Sequence, residues 1–208
     1  MTRQTAPSRA YAIDGKEIFV FDGLFSRALI KRVHDEFDAL DYMRKRNVEM
    51  NDGFAEWTVS LDLAAQRRHP VVQTTATLLR DVFPGHTMAL KQSYCKNLCY
   101  GDCPYPHTDA PSDLGGLVIS TVYYANPTWE PSWGGETMFF DDRRDARISV
   151  APVPGRLVIF RGVLWHRAGV PMRNCKASRY SLINKFFGTP KKRGARRSAA
   201  IECTLVRV

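Results

Sequence analysis

The stretch Leu117-Val118-Ile119-Ser120-Thr121-Val122-Tyr123-Tyr124 carries no charge, glycine or proline, and six of its eight residues are β-branched or aromatic. Such residues suit a pleated, buried surface, so the segment reads as a strand. Segments of similar texture follow at Glu136–Phe140, Arg147–Val150, Arg156–Phe160 and Arg179–Phe187, separated by turns rich in Gly, Pro and Asp. No helical pattern alternates with them, which argues against βαβ units and for an antiparallel sandwich or barrel.

Upstream of about Thr87 the periodicity changes. Behind Ser26, a good N-cap, Leu29, Ile30, Val33, Phe37 and Leu40 recur at helical spacing with charged residues between them. Pro70 suits a first helical position and is followed by Val71, Val72, Thr75, Leu78, Leu79, Val82 and Phe83, after which Pro84-Gly85 stops the pattern. The expectation is one mainly β domain over 1–190, with a helical support region at 1–86, a strand-built core at 87–187 and a tail at 188–208.

With 208 residues, 44% of them hydrophobic and 25% charged, the chain has the composition of an ordinary globular domain. The longest apolar runs, such as Leu157–Phe160, are far too short to cross a bilayer, and the N-terminus lacks the apolar stretch of a secretory signal. A cytoplasmic protein with no membrane contact is expected. In that setting five cysteines, an odd number, read as reduced thiols. The net charge of +9 is concentrated at the end: residues 188–208 hold six Lys or Arg against one Glu. A basic block can contact polyanions, but no aromatic residue is interleaved to stack on bases, so a solvated tail is the better reading.

Of five histidines, His34 lies within the first helix and His69 and His86 flank the second, where surface or capping roles are expected. His107 and Asp109 are two apart, so an extended chain points both to one face. His166 follows 57 residues after Asp109, beyond the apolar strand Arg156–Phe160. Two imidazoles and a carboxylate on a β scaffold form the facial triad that suits non-haem Fe(II), although zinc accepts the same donors. Arg179 and Ser181 share a strand face, so a guanidinium fork and a hydroxyl can hold a carboxylate beside the metal. Tyr124 can reach that carboxylate, while its neighbour Tyr123 must face the opposite way. Cys95, Cys99 and Cys103 lack the usual two-residue zinc spacing and are read as inert; Glu136 reads as a structural carboxylate in a tight turn, and Trp165 as packing. Trp129 and Trp133 suit either loop anchoring or substrate contact.

Taken in order, His107-Thr108-Asp109, Tyr123-Tyr124-Ala125-Asn126, Trp133-Gly134-Gly135-Glu136-Thr137, Pro154–Phe160, His166 and Arg179-Tyr180-Ser181-Leu182 resemble the motifs of prolyl 4-hydroxylase-like Fe(II)/2-oxoglutarate-dependent dioxygenases. The resemblance spans roughly Leu90–Phe187. It implies a double-stranded β-helix, a jelly roll, with Fe(II) held by His107, Asp109 and His166. It also implies 2-oxoglutarate as cosubstrate, its far carboxylate held by Arg179, Ser181 and Tyr124, with Asn97 or Tyr100 nearby and ascorbate as an accessory reductant. Hydroxylation of a small molecule, an amino acid or a prolyl residue follows from the same resemblance; Asp109 argues against halogenation. The His166-to-Arg179 gap is longer than usual, which implies an added loop at Gly169–Ala177, and Asn184-Lys185 replace a common aromatic. The competing readings are a non-catalytic jelly-roll binding module and a zinc-dependent cupin-like enzyme. Neither needs a 2-oxoglutarate anchor at Arg179.

Overall fold

The computed structural model describes residues 6–46, 55–110, 116–191 and 206–207. Strands β1 (Arg9–Ile13) and β2 (Lys16–Phe21) form a hairpin, followed by helix α1 (Arg27–Asp38), β3 (Met43–Arg46), β4 (Ala55–Ser60), the short α2 (Leu63–Gln66) and α3 (Pro70–Val82). Then come β5 (His86–Leu98), β6 (Leu117–Tyr124), β7 (Thr137–Phe140), β8 (Ala146–Val150), β9 (Leu157–Arg161), β10 (His166–Ala168), β11 (Arg179–Pro190) and β12 (Val206–Arg207). The larger sheet runs β12-β1-β2-β9-β6-β11-β5-β4-β3 and the smaller β10-β7-β8. The fold is a jelly-roll type in which neither sheet closes on itself.

Alternation along the strands explains the two cores. On β6, Ile119 and Tyr123 join the helices in one cluster, while Val122 and Tyr124 join a second; on β9, Leu157 and Ile159 part from Val158 and Phe160 in the same way. The first cluster seats α1 and α3 on the outer face of the large sheet through Ile30, Val33, Phe37, Val71, Val72, Leu78 and Leu79. Each fully buried aliphatic or aromatic side chain contributes roughly 1.5–3 kcal/mol. The second cluster adds Phe139 and Val150 of the small sheet and fills the space between sheets. Ser26 caps α1 as expected, its Oγ accepting from Leu29 N–H at 3.2 Å. Gly155 supplies a tight fit there: at φ 71° it faces Ile30, and an added Cβ would lie 2.5 Å from Ile30 Cδ1.

Two expectations are corrected. The region 1–86 is not only a helical support, because it contributes β1, β2, β3 and β4 to the large sheet. These strands are short, pair locally as β1–β2 and β3–β4, and join the large sheet through more distant partners, β2 on β9 and β4 on β5. The β1–β2 turn is Asp14-Gly15, both with positive φ, a strong local hairpin signal. The tail does not begin at 188 either, since Gly188, Thr189 and Pro190 complete β11 and Val206-Arg207 lie parallel to β1. Residues 192–205, with most of the basic block, lie outside the described residues. Among those described, no helix is long and apolar enough to cross a membrane.

Candidate metal centre

His166 opens β10, and His107 lies beside it in a two-residue bridge outside any longer strand. The His107 N–H donates to the His166 carbonyl at 2.9 Å and the His166 N–H to the His107 carbonyl at 3.0 Å. Two residues on, the Asp109 N–H donates to the Gly162 carbonyl at 2.7 Å, which fixes the third side chain from the same neighbouring segment. The three side chains offer ligand atoms that all lie within 4.8 Å of one another. His166 Nε2 is 3.4 Å from Asp109 Oδ2, and His107 Nε2 is 3.7 Å from Oδ1. No other such group of His, Cys, Asp or Glu occurs among the described residues.

The hydrogen bonds on the far side of each ring decide its tautomer. Nδ1 of His107 lies 3.0 Å from the Tyr105 carbonyl, and Nδ1 of His166 lies 3.0 Å from the Leu164 carbonyl. A carbonyl only accepts, so each Nδ1 carries the proton and each Nε2 presents a lone pair toward Asp109. Burial pushes the His166 imidazole down to about 4, which keeps that lone pair free at neutral pH. Burial alone would raise the Asp109 carboxyl, but in the acid range where it titrates the His166 charge, the Lys185 ammonium and the Ser120 hydroxyl outweigh burial and hold the group well below the usual carboxylate range. Two imidazole lone pairs and a carboxylate therefore converge, a donor set that a divalent cation satisfies.

The same cavity reaches Arg179. Its wall includes Tyr94, Lys96, Val122, Thr137, Phe160, Ser181 and Ile183 together with the three candidate ligands. Arg179 is 1% exposed. Nε donates to the Gly135 carbonyl at 2.7 Å, Nη1 to Ser181 Oγ at 3.3 Å and Nη2 to Thr137 Oγ1 at 3.0 Å. Among the described residues no carboxylate lies within ion-pair distance of it, and a buried cation held only by neutral groups is costly. Asn126 holds the chain on either side of Arg179, donating to the Ser178 carbonyl at 2.7 Å and accepting from the Tyr180 N–H at 2.8 Å. The expected loop is present between β10 and β11, and it leaves Arg179 in the cavity.

Other expected residues take different places. Tyr124 does not line the cavity: its hydroxyl donates to Thr137 Oγ1 at 2.7 Å, and its ring lies 4.9 Å from the Arg179 guanidinium carbon. Asn97 and Tyr100 are also outside it, and Tyr100 is largely exposed. Asn97 pairs with Tyr180, whose hydroxyl bonds Asp38 of α1, so that face of the sheet looks toward the helices. Lys96 pairs with Ser181 and looks into the cavity, as does Tyr94. Thr137, Tyr94 and Lys96 are polar lining residues that sequence reasoning missed. Cys95, Cys99, Cys103 and Cys175 are free thiols and join no metal cluster. Trp129 anchors its loop by donating from Nε1 to the Gly134 carbonyl at 2.9 Å, and Trp165 is covered by Arg144 at 4.0 Å.

The sequence model of the 2OG-Fe(II) oxygenase superfamily matches residues 95–187. Among solved structures, a prolyl-4-hydroxylase from Pseudomonas putida is similar with 18% identity and a TM-score of 0.60, over 81% of this chain and 91% of that one. A Trichoplax adhaerens prolyl hydroxylase, solved in complex with a hypoxia inducible factor peptide fragment, gives 14% identity and 0.61, over 82% and 83%. The epimerase SnoN from nogalamycin biosynthesis, described as non-haem and alpha-ketoglutarate dependent, gives 13% and 0.64, over 86% and 82%. No curated protein matches the chain.

Proposed function

We propose that this chain, whose residues 95–187 match the sequence model of the 2OG-Fe(II) oxygenase superfamily, is an Fe(II)- and 2-oxoglutarate-dependent dioxygenase that hydroxylates an unactivated C–H bond. The observation that carries this reading is the shared cavity of Arg179 and the His107, Asp109 and His166 cluster. A buried guanidinium with no carboxylate partner among the described residues calls for an anion, and beside it stands a donor set suited to iron. A dicarboxylate 2-oxo acid meets both demands in one molecule.

In this reading His107, Asp109 and His166 hold Fe(II), while Arg179, Ser181 and Thr137 receive the far carboxylate of 2-oxoglutarate. The bound pair supplies O2 activation, converting 2-oxoglutarate and O2 to succinate and CO2 as one oxygen atom enters the substrate. The chain positions and excludes. Arg179 is itself fixed by Gly135, Thr137 and Ser181, so little reorganisation accompanies anion binding. Val122, Phe160 and Ile183 give the cavity an apolar wall that keeps water from the reacting carbon. Similar structures come from enzymes named for prolyl residues and from small-molecule biosynthesis, which supports either a peptidyl residue or a small molecule as substrate.

Anaerobic addition of Fe(II) and then 2-oxoglutarate to the metal-free protein tests the proposal. A visible charge-transfer band that requires both additions and weakens in Arg179→Met is expected. A protein that binds Fe(II) but develops no band with 2-oxoglutarate would overturn it in favour of a zinc-type or binding role.

A further inference from the structure

Asp109 is gripped on both oxygens. Ser120 Oγ donates to Oδ2 at 2.5 Å, and Lys185 Nζ donates to Oδ1 at 2.9 Å. The two donors come from neighbouring strands at one level, because Ser120 of β6 and Lys185 of β11 are direct register partners. Ser120 is fully buried, Lys185 has 19% of its side chain exposed, and the Asp109 side chain is 2% exposed. Tyr94 flanks the lysine, with its ring centroid 5.9 Å from Nζ and 5.8 Å from Nζ of Lys96, which is engaged by Glu56. No other acidic residue pairs with Lys185 among the described residues. The ammonium is thus committed to one carboxylate, the one placed between the two imidazoles.

We infer that Lys185, with Ser120 opposite it, is a positioning residue for the metal centre, setting the orientation of the Asp109 carboxylate. The inference rests on the metal-site reading above, and it concerns the metal rather than 2-oxoglutarate. A carboxylate on a turn after His107 can swing about two torsions; a donor on each oxygen from paired strands removes that freedom before any ion arrives. Partners of this kind typically change metal affinity by about 10–100-fold when removed. An ammonium near a divalent cation also repels it, so the sign of the effect separates orientation from competition.

The test is titration of the metal-free full chain with Co(II), read by its d–d absorption, for wild type, Lys185→Met, Lys185→Gln and Lys185→Arg. Orientation predicts about 10–100-fold weaker Co(II) binding in Lys185→Met and Lys185→Gln with an altered band shape, and recovery to within a few-fold in Lys185→Arg. Ser120→Ala should weaken binding in the same direction. Should Lys185→Met fail to fold, the polar, uncharged Lys185→Gln and the Ser120 variant carry the measurement. Unchanged affinity in the lysine variants overturns the inference, and tighter binding overturns it by making the ammonium a competitor. A wild-type protein that takes up no cobalt overturns the metal site and this inference together. Cobalt uptake by a protein that develops no 2-oxoglutarate band with Fe(II) overturns only the oxygenase reading.

Discussion

The main chains of His107 and His166 exchange two hydrogen bonds, of 2.9 and 3.0 Å, and their ring centroids stand 4.4 Å apart. The imidazoles are thus brought together by backbone, and neither side chain is needed to hold the other in place. His107→Ala should therefore keep the fold, with a Tm within a few degrees of wild type, while losing metal affinity by 100-fold or more on the order expected for a missing ligand. Circular dichroism melts and cobalt titration on the same variant check both halves. Intact metal binding would remove His107 from the site.

Arg179→Met should separate stability from binding. Losing the buried charge offsets the loss of a donor to the Gly135 carbonyl, so the fold should change by about 1 kcal/mol or less in either direction. 2-Oxoglutarate binding should weaken by roughly 2–5 kcal/mol, as when one partner of a buried charge pair is removed. Calorimetry with 2-oxoglutarate on the Mn(II)-loaded protein reads the second quantity, and equal weakening of Mn(II) itself would disprove the separation.

Gly135 connects the loop to that anchor. Its φ is 81°, and an added Cβ would lie 3.1 Å from both Arg179 Cδ and Trp129 Cζ2. Gly135→Ala should cost about 1–2 kcal/mol for the left-handed conformation alone and should raise the apparent constant for 2-oxoglutarate several-fold by displacing the guanidinium. Mn(II) affinity should not move. An unchanged 2-oxoglutarate constant would show that the loop accommodates the methyl group elsewhere.

His69 makes the fold acid-sensitive away from the site. It caps α3, its Nδ1 accepting from the Val71 N–H at 3.3 Å, and burial lowers its pKa although Glu36 opposes the shift. Protonation is easier in the unfolded chain, near pH 6.5. This contribution to stability is therefore complete above about pH 6.5 and declines as pH falls toward the lower folded value. His69→Asn keeps a capping acceptor without the titration, so its Tm should fall less than wild type between about pH 7.5 and 5. Parallel slopes would dismiss His69 as the source.

Period-two reasoning sufficed where one strand carries the answer: Arg179 and Ser181 share a face in the sequence and in the cavity. It failed where the answer depends on which strand lies opposite. Asn97 and Lys96 are neighbours on β5, and only the pairing of Lys96 with Ser181 shows that the lysine is the one facing inward. Thr137 stood in plain view after Gly134-Gly135-Glu136, but its role as acceptor for Arg179 arises because β7 belongs to the opposing sheet. The helices were legible because capping and periodicity are local; β3 and β4 were not, because they are short and join the large sheet only through the pairing of β4 with β5.

Arg179, Ser181, Ile183 and Lys185 succeed one another on the inner face of β11, which pairs with β6 without a break from Ser181 to Gly188. Length within this segment is consequently under far tighter constraint than chemical identity. Deleting a single residue between Arg179 and Lys185 would invert the facing of everything on one side of it, sending the anchor or the amine toward α1. Pro171 and Met172 are pinned to Gly134 and Trp133, so tolerance for changes of length is confined to the stretch 173–177 that leads back to Ser178. Insertions and deletions among natural variants of this chain should gather in that tether and spare the strand.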